Sequence, residues 1–101
     1  MKQRPNVWIQ QGTRWDLNIE IKRKFQKYRM YCQKKGRSIF ITSGNDSDHM
    51  MGSFHFNDDA FDMLRNGTTK RELQMIFGFD YDIVPYSWGF HVEYDPKAAK
   101  L

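Results

Sequence analysis

The chain has 101 residues, enough for one domain with one modest core. Apolar residues make up 40% and aromatic residues 16% against 28% charged, which excludes the composition of a disordered chain. There is no run of about 18 apolar residues to span a bilayer, so no membrane insertion is expected, and the single cysteine, Cys32, excludes an internal disulfide and a multi-cysteine zinc site.

The opening stretch, MKQRPNVWIQQG, lacks the apolar segment of a signal peptide, so a protein that is cytoplasmic at synthesis is expected. Residues 1–12 read as an N-terminal extension and 13–96 as the core of a single domain spanning 1–101. The formal net charge is +4, and Lys22, Arg23, Lys24, Lys27, Arg29, Lys34, Lys35 and Arg37 crowd one stretch with no acid among them. Such a face favours anionic partners, among them nucleic acid, membrane surfaces and acidic wall polymers; a solvated helix face gives the same pattern.

Thr13-Arg-Trp-Asp16 has the form of a capping box and predicts a helix from there to Gly36. Leu17, Ile21, Phe25, Tyr28 and Cys32 recur at spacings of four, four, three and four, one stripe of such a helix. Ser38–Ser43 predicts a buried strand entering a polar loop that carries His49. A second strand is expected around Ala60–Leu64, stopped by Asn66-Gly67, followed by a short helix over Thr68–Phe77 ended by Gly78. Tyr81–Val84 and Phe90–Tyr94 are the remaining strands, divided by the turn residues Pro85 and Gly89. The order predicts an α+β fold, a small mainly antiparallel sheet with two helices.

Alternation in the last strand puts Phe90, Val92 and Tyr94 on one face and His91, Glu93 and Asp95 on the other. The same rule places Ala60 and Asp62 together, and a small residue beside a carboxylate leaves space for an ion. If these two strands are neighbours, Asp62 and His91 converge. Zinc takes neutral imidazole and carboxylate, and catalytic sites commonly hold it by three protein ligands. With three His and twelve acids, many triplets in the chain have that composition.

The segment ITSGNDSDHMMGSFHFNDDAFDM, Ile41 to Met63, resembles the Ser-x-His-x-x-Gly-x-Ala-x-Asp signature of the zinc D-Ala-D-Ala carboxypeptidase and L-Ala-D-Glu endopeptidase family, preceded by Thr-Ser-Gly. Ser53, His55, Ala60 and Asp62 stand in the matching positions, and FHVEYDP at Phe90–Pro96 resembles the family's C-terminal His segment. The resemblance implies a Hedgehog/DD-peptidase-like fold, a zinc ion held by His55, Asp62 and His91, and hydrolysis of peptidoglycan stem peptides by a metal-bound water. It also implies a cell-wall hydrolase or lysin, of phage type given the absent signal peptide, released to the wall on lysis. The family's Gly is Asp58 here, the basic residue after Thr-Ser-Gly is Asn45, and Trp88 stands where the family carries its acidic general base. Glu93, on the His91 face, is the expected substitute base, with Asp59 and Tyr86 behind it. The competing expectation is a catalytically impaired peptidase fold that binds a protein or nucleic acid through its basic helix.

Overall fold

The computed structural model describes residues 6–13, 15, 17–44 and 60–96. The apolar stripe forms as its spacing predicts: α1 (Ile19–Lys35) buries Ile21, Phe25, Tyr28 and Cys32. The helix begins later than the Thr13 box implies, because Asn18, a stronger cap than Thr, accepts a hydrogen bond from the Ile21 amide at 3.2 Å. Thr13 instead donates its hydroxyl to the Thr42 carbonyl at 3.4 Å, and Asp16 lies outside the described residues. Between them Trp15 packs edge-on against Phe25 and Phe61, at 5.0 and 5.6 Å between ring centres, so this stretch roofs the core. Gly36 ends α1 with φ 71°, a left-handed conformation that glycine adopts without steric cost.

Four further strands were expected in the order found: β2 (Ile39–Ser43), β3 (Ala60–Leu64), β4 (Tyr81–Pro85) and β5 (Gly89–Tyr94). The short helix α2 (Lys70–Phe77) is capped by Thr69, whose hydroxyl accepts from the Glu72 amide while the Glu72 carboxylate accepts from the Thr69 amide. One strand was not expected. Val7–Ile9, inside the stretch read as an extension, forms β1 and pairs in parallel with β2. A parallel neighbour needs a long crossover, which α1 supplies.

The five strands form one mixed sheet in the order β1-β2-β3-β5-β4, antiparallel apart from the β1–β2 pair. With its two helices it is an α+β fold. Both helices lie against one face, where Phe25 meets Phe61 at 5.5 Å and Phe77 meets Tyr28, Phe61 and Tyr81 at 5.1 to 6.0 Å. Ile39, Ile41, Met63, Ile83, Phe90 and Val92 complete that core. No described helix is long and apolar enough to cross a membrane.

Behind β3 the chain is pinned to α1. Tyr28, fully buried, donates its hydroxyl to Thr68 at 3.0 Å, and Asn66 donates to the Ser38 carbonyl at 2.8 Å. Burial drives the Tyr28 pKa well above its ordinary range, so the phenol stays neutral and keeps its proton to donate.

Candidate metal centre

Residues that point away from the helices line the second face of the sheet. β3 and β5 are antiparallel neighbours with Asp62 directly opposite His91 and Ala60 opposite Glu93. This is the pairing that the expected convergence required. Asp62 Oδ1 lies 2.6 Å from His91 Nδ1. On the far side of the ring, His91 Nε2 lies 3.0 Å from Glu93 Oε1. On the β3 side only the Ala60 methyl stands opposite Glu93, while on the β4 side its partner is Asp82.

The imidazole is therefore held between two carboxylates. Bonding to Asp62 raises its pKa above the ordinary histidine value; burial opposes the rise and bonding to Glu93 adds to it. Each ring nitrogen lies within hydrogen-bond distance of a carboxylate oxygen, so the protonated ring can donate Nδ1 to Asp62 and Nε2 to Glu93.

Ser43 joins this row through an irregularity in β2. Ile41 pairs with Met63, but Ser43 pairs with Asp62, so two steps along β2 match one step along β3. Such a bulge turns one side chain to the opposite face. Plain alternation from buried Ile39 and Ile41 would send Ser43 toward the helices; the bulge brings it to Asp62, where its hydroxyl donates to Oδ2 at 2.6 Å. The contact runs from Ser43 to Asp62 and not to His91, so the arrangement is not that of a serine nucleophile activated by histidine.

Zinc bonds to nitrogen and oxygen at about 2.0–2.2 Å, so two donors on one tetrahedral ion stand roughly 3.3 Å apart. Asp62 Oδ1 and His91 Nδ1 need to part by less than about 1 Å to reach that separation, and they fit as two of three ligands. Glu93 does not fit beside them, because one imidazole cannot turn both nitrogens to the same ion. Accordingly, among the described residues no group of three His, Cys, Asp or Glu is arranged to hold a metal. The third expected ligand, His55, lies outside the described residues, as do Ser53, His49, Asp58 and Asp59.

Trp88 lies in the β4–β5 turn and stacks on Tyr86 at 5.0 Å with their planes 6° apart. Arg65 fixes that turn by donating to the Tyr86 carbonyl at 2.6 and 3.0 Å. Gly89 follows, and a Cβ there would fall 1.9 Å from the Met63 carbonyl oxygen, so β5 approaches β3 this closely only with glycine. Neither the part played by Ser43 nor the side of the ring taken by Glu93 was foreseen. Thr-Ser-Gly was visible as a motif, but no local signal marks a bulge.

Comparison with family models, curated proteins and solved structures gives no match.

Proposed function

We propose that this chain is a zinc-dependent hydrolase of the D-Ala-D-Ala carboxypeptidase and L-Ala-D-Glu endopeptidase type, with a Hedgehog/DD-peptidase-like arrangement, acting on peptidoglycan stem peptides. The observation that carries the reading is the direct opposition of Asp62 and His91 on paired strands, donor atom to donor atom. His55 completes the ligand set on the resemblance of its segment. A zinc ion held by these residues would supply Lewis-acid chemistry for hydrolysis. Around it the exposed side chains of Phe40, Leu64 and Val84 edge the sheet face, and an extended peptide could lie against them. Release to the wall on phage lysis is the setting this reading implies.

Metal content tests the ligand set. Protein purified without a chelating tag should carry about one equivalent of zinc, and Asp62→Ala and His91→Ala should lose it; equal metal in all three removes the claim. Zymography on purified wall tests the substrate, and an absence of clearing by zinc-loaded protein across several pH values counts against a wall hydrolase.

A second reading, a binding protein on a peptidase-like scaffold, is favoured by the opposite side of the molecule. An open groove of about 410 Å³ runs between β1 and α1, with Val7, Ile9, Trp15 and Phe25 as apolar lining and Lys22 and Arg29 as cations. If the partner is nucleic acid, affinity should fall steeply with salt and vanish on charge reversal at Lys22 in the groove together with Lys24 and Lys27 on the same helix. Salt-insensitive binding eliminates that version.

A further inference from the structure

We propose that the outer edge of β1 is a docking site for an extended acidic peptide, which adds to the sheet as a further strand and sets alternate side chains into the groove beside α1. The proposal deepens the binding-protein reading above and rests on it.

A strand at the end of a sheet turns half of its backbone groups outward, and the two ends of this sheet, β1 and β4, treat them differently. In β4 the bonds between Tyr86 and Gly89, and from the Asp95 amide to the Asp80 carbonyl, show that even-numbered residues face β5. The odd-numbered residues face out. There Tyr81 donates its amide to the Gly78 carbonyl and Pro85 has no amide, which leaves Ile83 as the outward donor of β4. In β1 the bonds to β2 run from the Ile39 amide to the Asn6 carbonyl, 2.7 Å, and from the Gln10 amide to the Ile41 carbonyl, 2.8 Å. Alternation then turns the amide and the carbonyl of both Val7 and Ile9 away from β2. Such a row of alternating donors and acceptors is what an incoming strand pairs with.

The side chains beside that edge determine what the strand should carry. Val7 and Ile9 join Trp15 and Phe25 in the apolar lining of the groove. Along its α1 wall Lys22, Gln26 and Arg29 recur at spacings of four and three, one stripe of the helix. Arg29 Nε donates to the Asn6 side chain at 3.2 Å, which holds the guanidinium beside β1. Among the described residues the ion pairs lie elsewhere, at Arg37–Glu72 and around His91, so Lys22 and Arg29 give the groove a net positive charge. Seven residues of helix set these cations about 10 Å apart along the axis. Residues four apart on one side of a strand are about 13 Å apart. A peptide with acids four residues apart and an apolar residue midway therefore meets both cations and the apolar lining, within the reach of the Lys and Arg stems. Nucleic acid is the poorer fit, because phosphates only accept hydrogen bonds and leave the Val7 and Ile9 carbonyls facing no donor. A second copy of the chain is poorer still, because β1 against β1 would bring two positive grooves together.

The probe is a fluorescein-labelled peptide of about eight residues, within the usual length of a strand, with Glu, Val and Glu at alternate positions and Thr between them. Measuring in chelator keeps the result independent of zinc. Lys22 and Gln26 are exposed, so their replacement leaves the core intact. Anisotropy should show binding weakened about five- to tenfold by Lys22→Glu and strengthened about two- to fivefold by Gln26→Lys. Exchanging Glu for Lys in the peptide should reverse the order of the variants. Hydrogen exchange gives the second readout: bound peptide should slow the Val7 and Ile9 amides about tenfold or more and leave Ile83 unchanged. Methylation of one alternate set of peptide amides should abolish binding, and methylation of the other set should spare it. Binding that ignores Lys22→Glu, or that leaves the Val7 and Ile9 amides unprotected, overturns the proposal. An oligonucleotide that displaces the peptide and binds more tightly also overturns it, while the binding reading stands. Protection of Val7 and Ile9 that grows with protein concentration and needs no peptide assigns the edge to a second copy, with the same consequence. Protein that binds neither peptide nor oligonucleotide removes the binding reading and the proposal together.

Discussion

The two faces of the sheet are made by alternate residues of the same strands, yet they are used in opposite ways. On the helix-covered face, Phe61, Met63, Phe90 and Val92 are at most 1% exposed, and rings from both helices close over them. On the other, Phe40, Leu64 and Val84 are 38 to 42% exposed around the row Ser43, Asp62, His91 and Glu93. Burying a large apolar side chain is worth about 1.5–3 kcal/mol, so the first face supplies stability. The second carries a row of ionisable groups held by hydrogen bonds to one another. A sheet with helices on one side only can separate these tasks residue by residue, because its side-chain period is two.

The comparison is broken most directly by truncating each face in turn. Phe61→Ala should cost about 3–5 kcal/mol, seen as a large fall in urea midpoint, since its ring meets Trp15, Phe25 and Phe77. Gly89→Ala should come next at about 1–3 kcal/mol, because its Cβ collides with backbone and not with a pliable side chain. Hydrogen exchange should show that loss in the β3–β5 ladder, and unchanged protection there would mean the strands tolerate separation. Phe40→Ala should cost only about 1 kcal/mol, chiefly its stacking on Trp8 at 5.3 Å. A cost equal to that of Phe61→Ala would show that the second face is as closed as the first.

The smallest effects are those of pH, and the two sides of the molecule should respond with opposite sign. Glu72 accepts hydrogen bonds from Tyr31, the Thr69 amide and Arg37, which lower its pKa from 4.5 to about 2. A depressed carboxyl binds fewer protons when folded, so its contribution is present above about 4.5 and is lost as pH falls toward 2. His91 is raised, so in chelator its contribution is full below 6.5 and is lost as pH climbs through the higher folded value. Urea titrations across pH should find the acid limb flattened by Glu72→Gln and the neutral limb flattened by Asp62→Asn. A limb that steepens instead would reverse the assigned sign.

Patterns with a local period were legible in the chain. The α1 stripe is buried at Ile21, Phe25, Tyr28 and Cys32, with Leu17 buried just ahead of the helix, and the β5 alternation puts Phe90 and Val92 in the core with His91 on the other face. The facing of Asp62 and His91 followed once β3 and β5 were neighbours. The start of α1 was less legible, because Thr13 and Asn18 both offer caps and the choice depends on Trp15 finding a place over Phe25 and Phe61.

By itself, then, the sequence determined the α+β class, the element order after α1, and the face on which each β3 and β5 residue stands, since helix and strand periods are set by backbone geometry within a few residues. Only the tertiary structure decided that Val7–Ile9 joins the sheet, that the β2 bulge carries Ser43 to Asp62, and that Glu93 takes His91 Nε2. The first two depend on the register between strands far apart in the chain, and the third on Asp62 of the neighbouring strand taking the other ring nitrogen. That register is chosen by the packing of the whole core, and no local stretch encodes it.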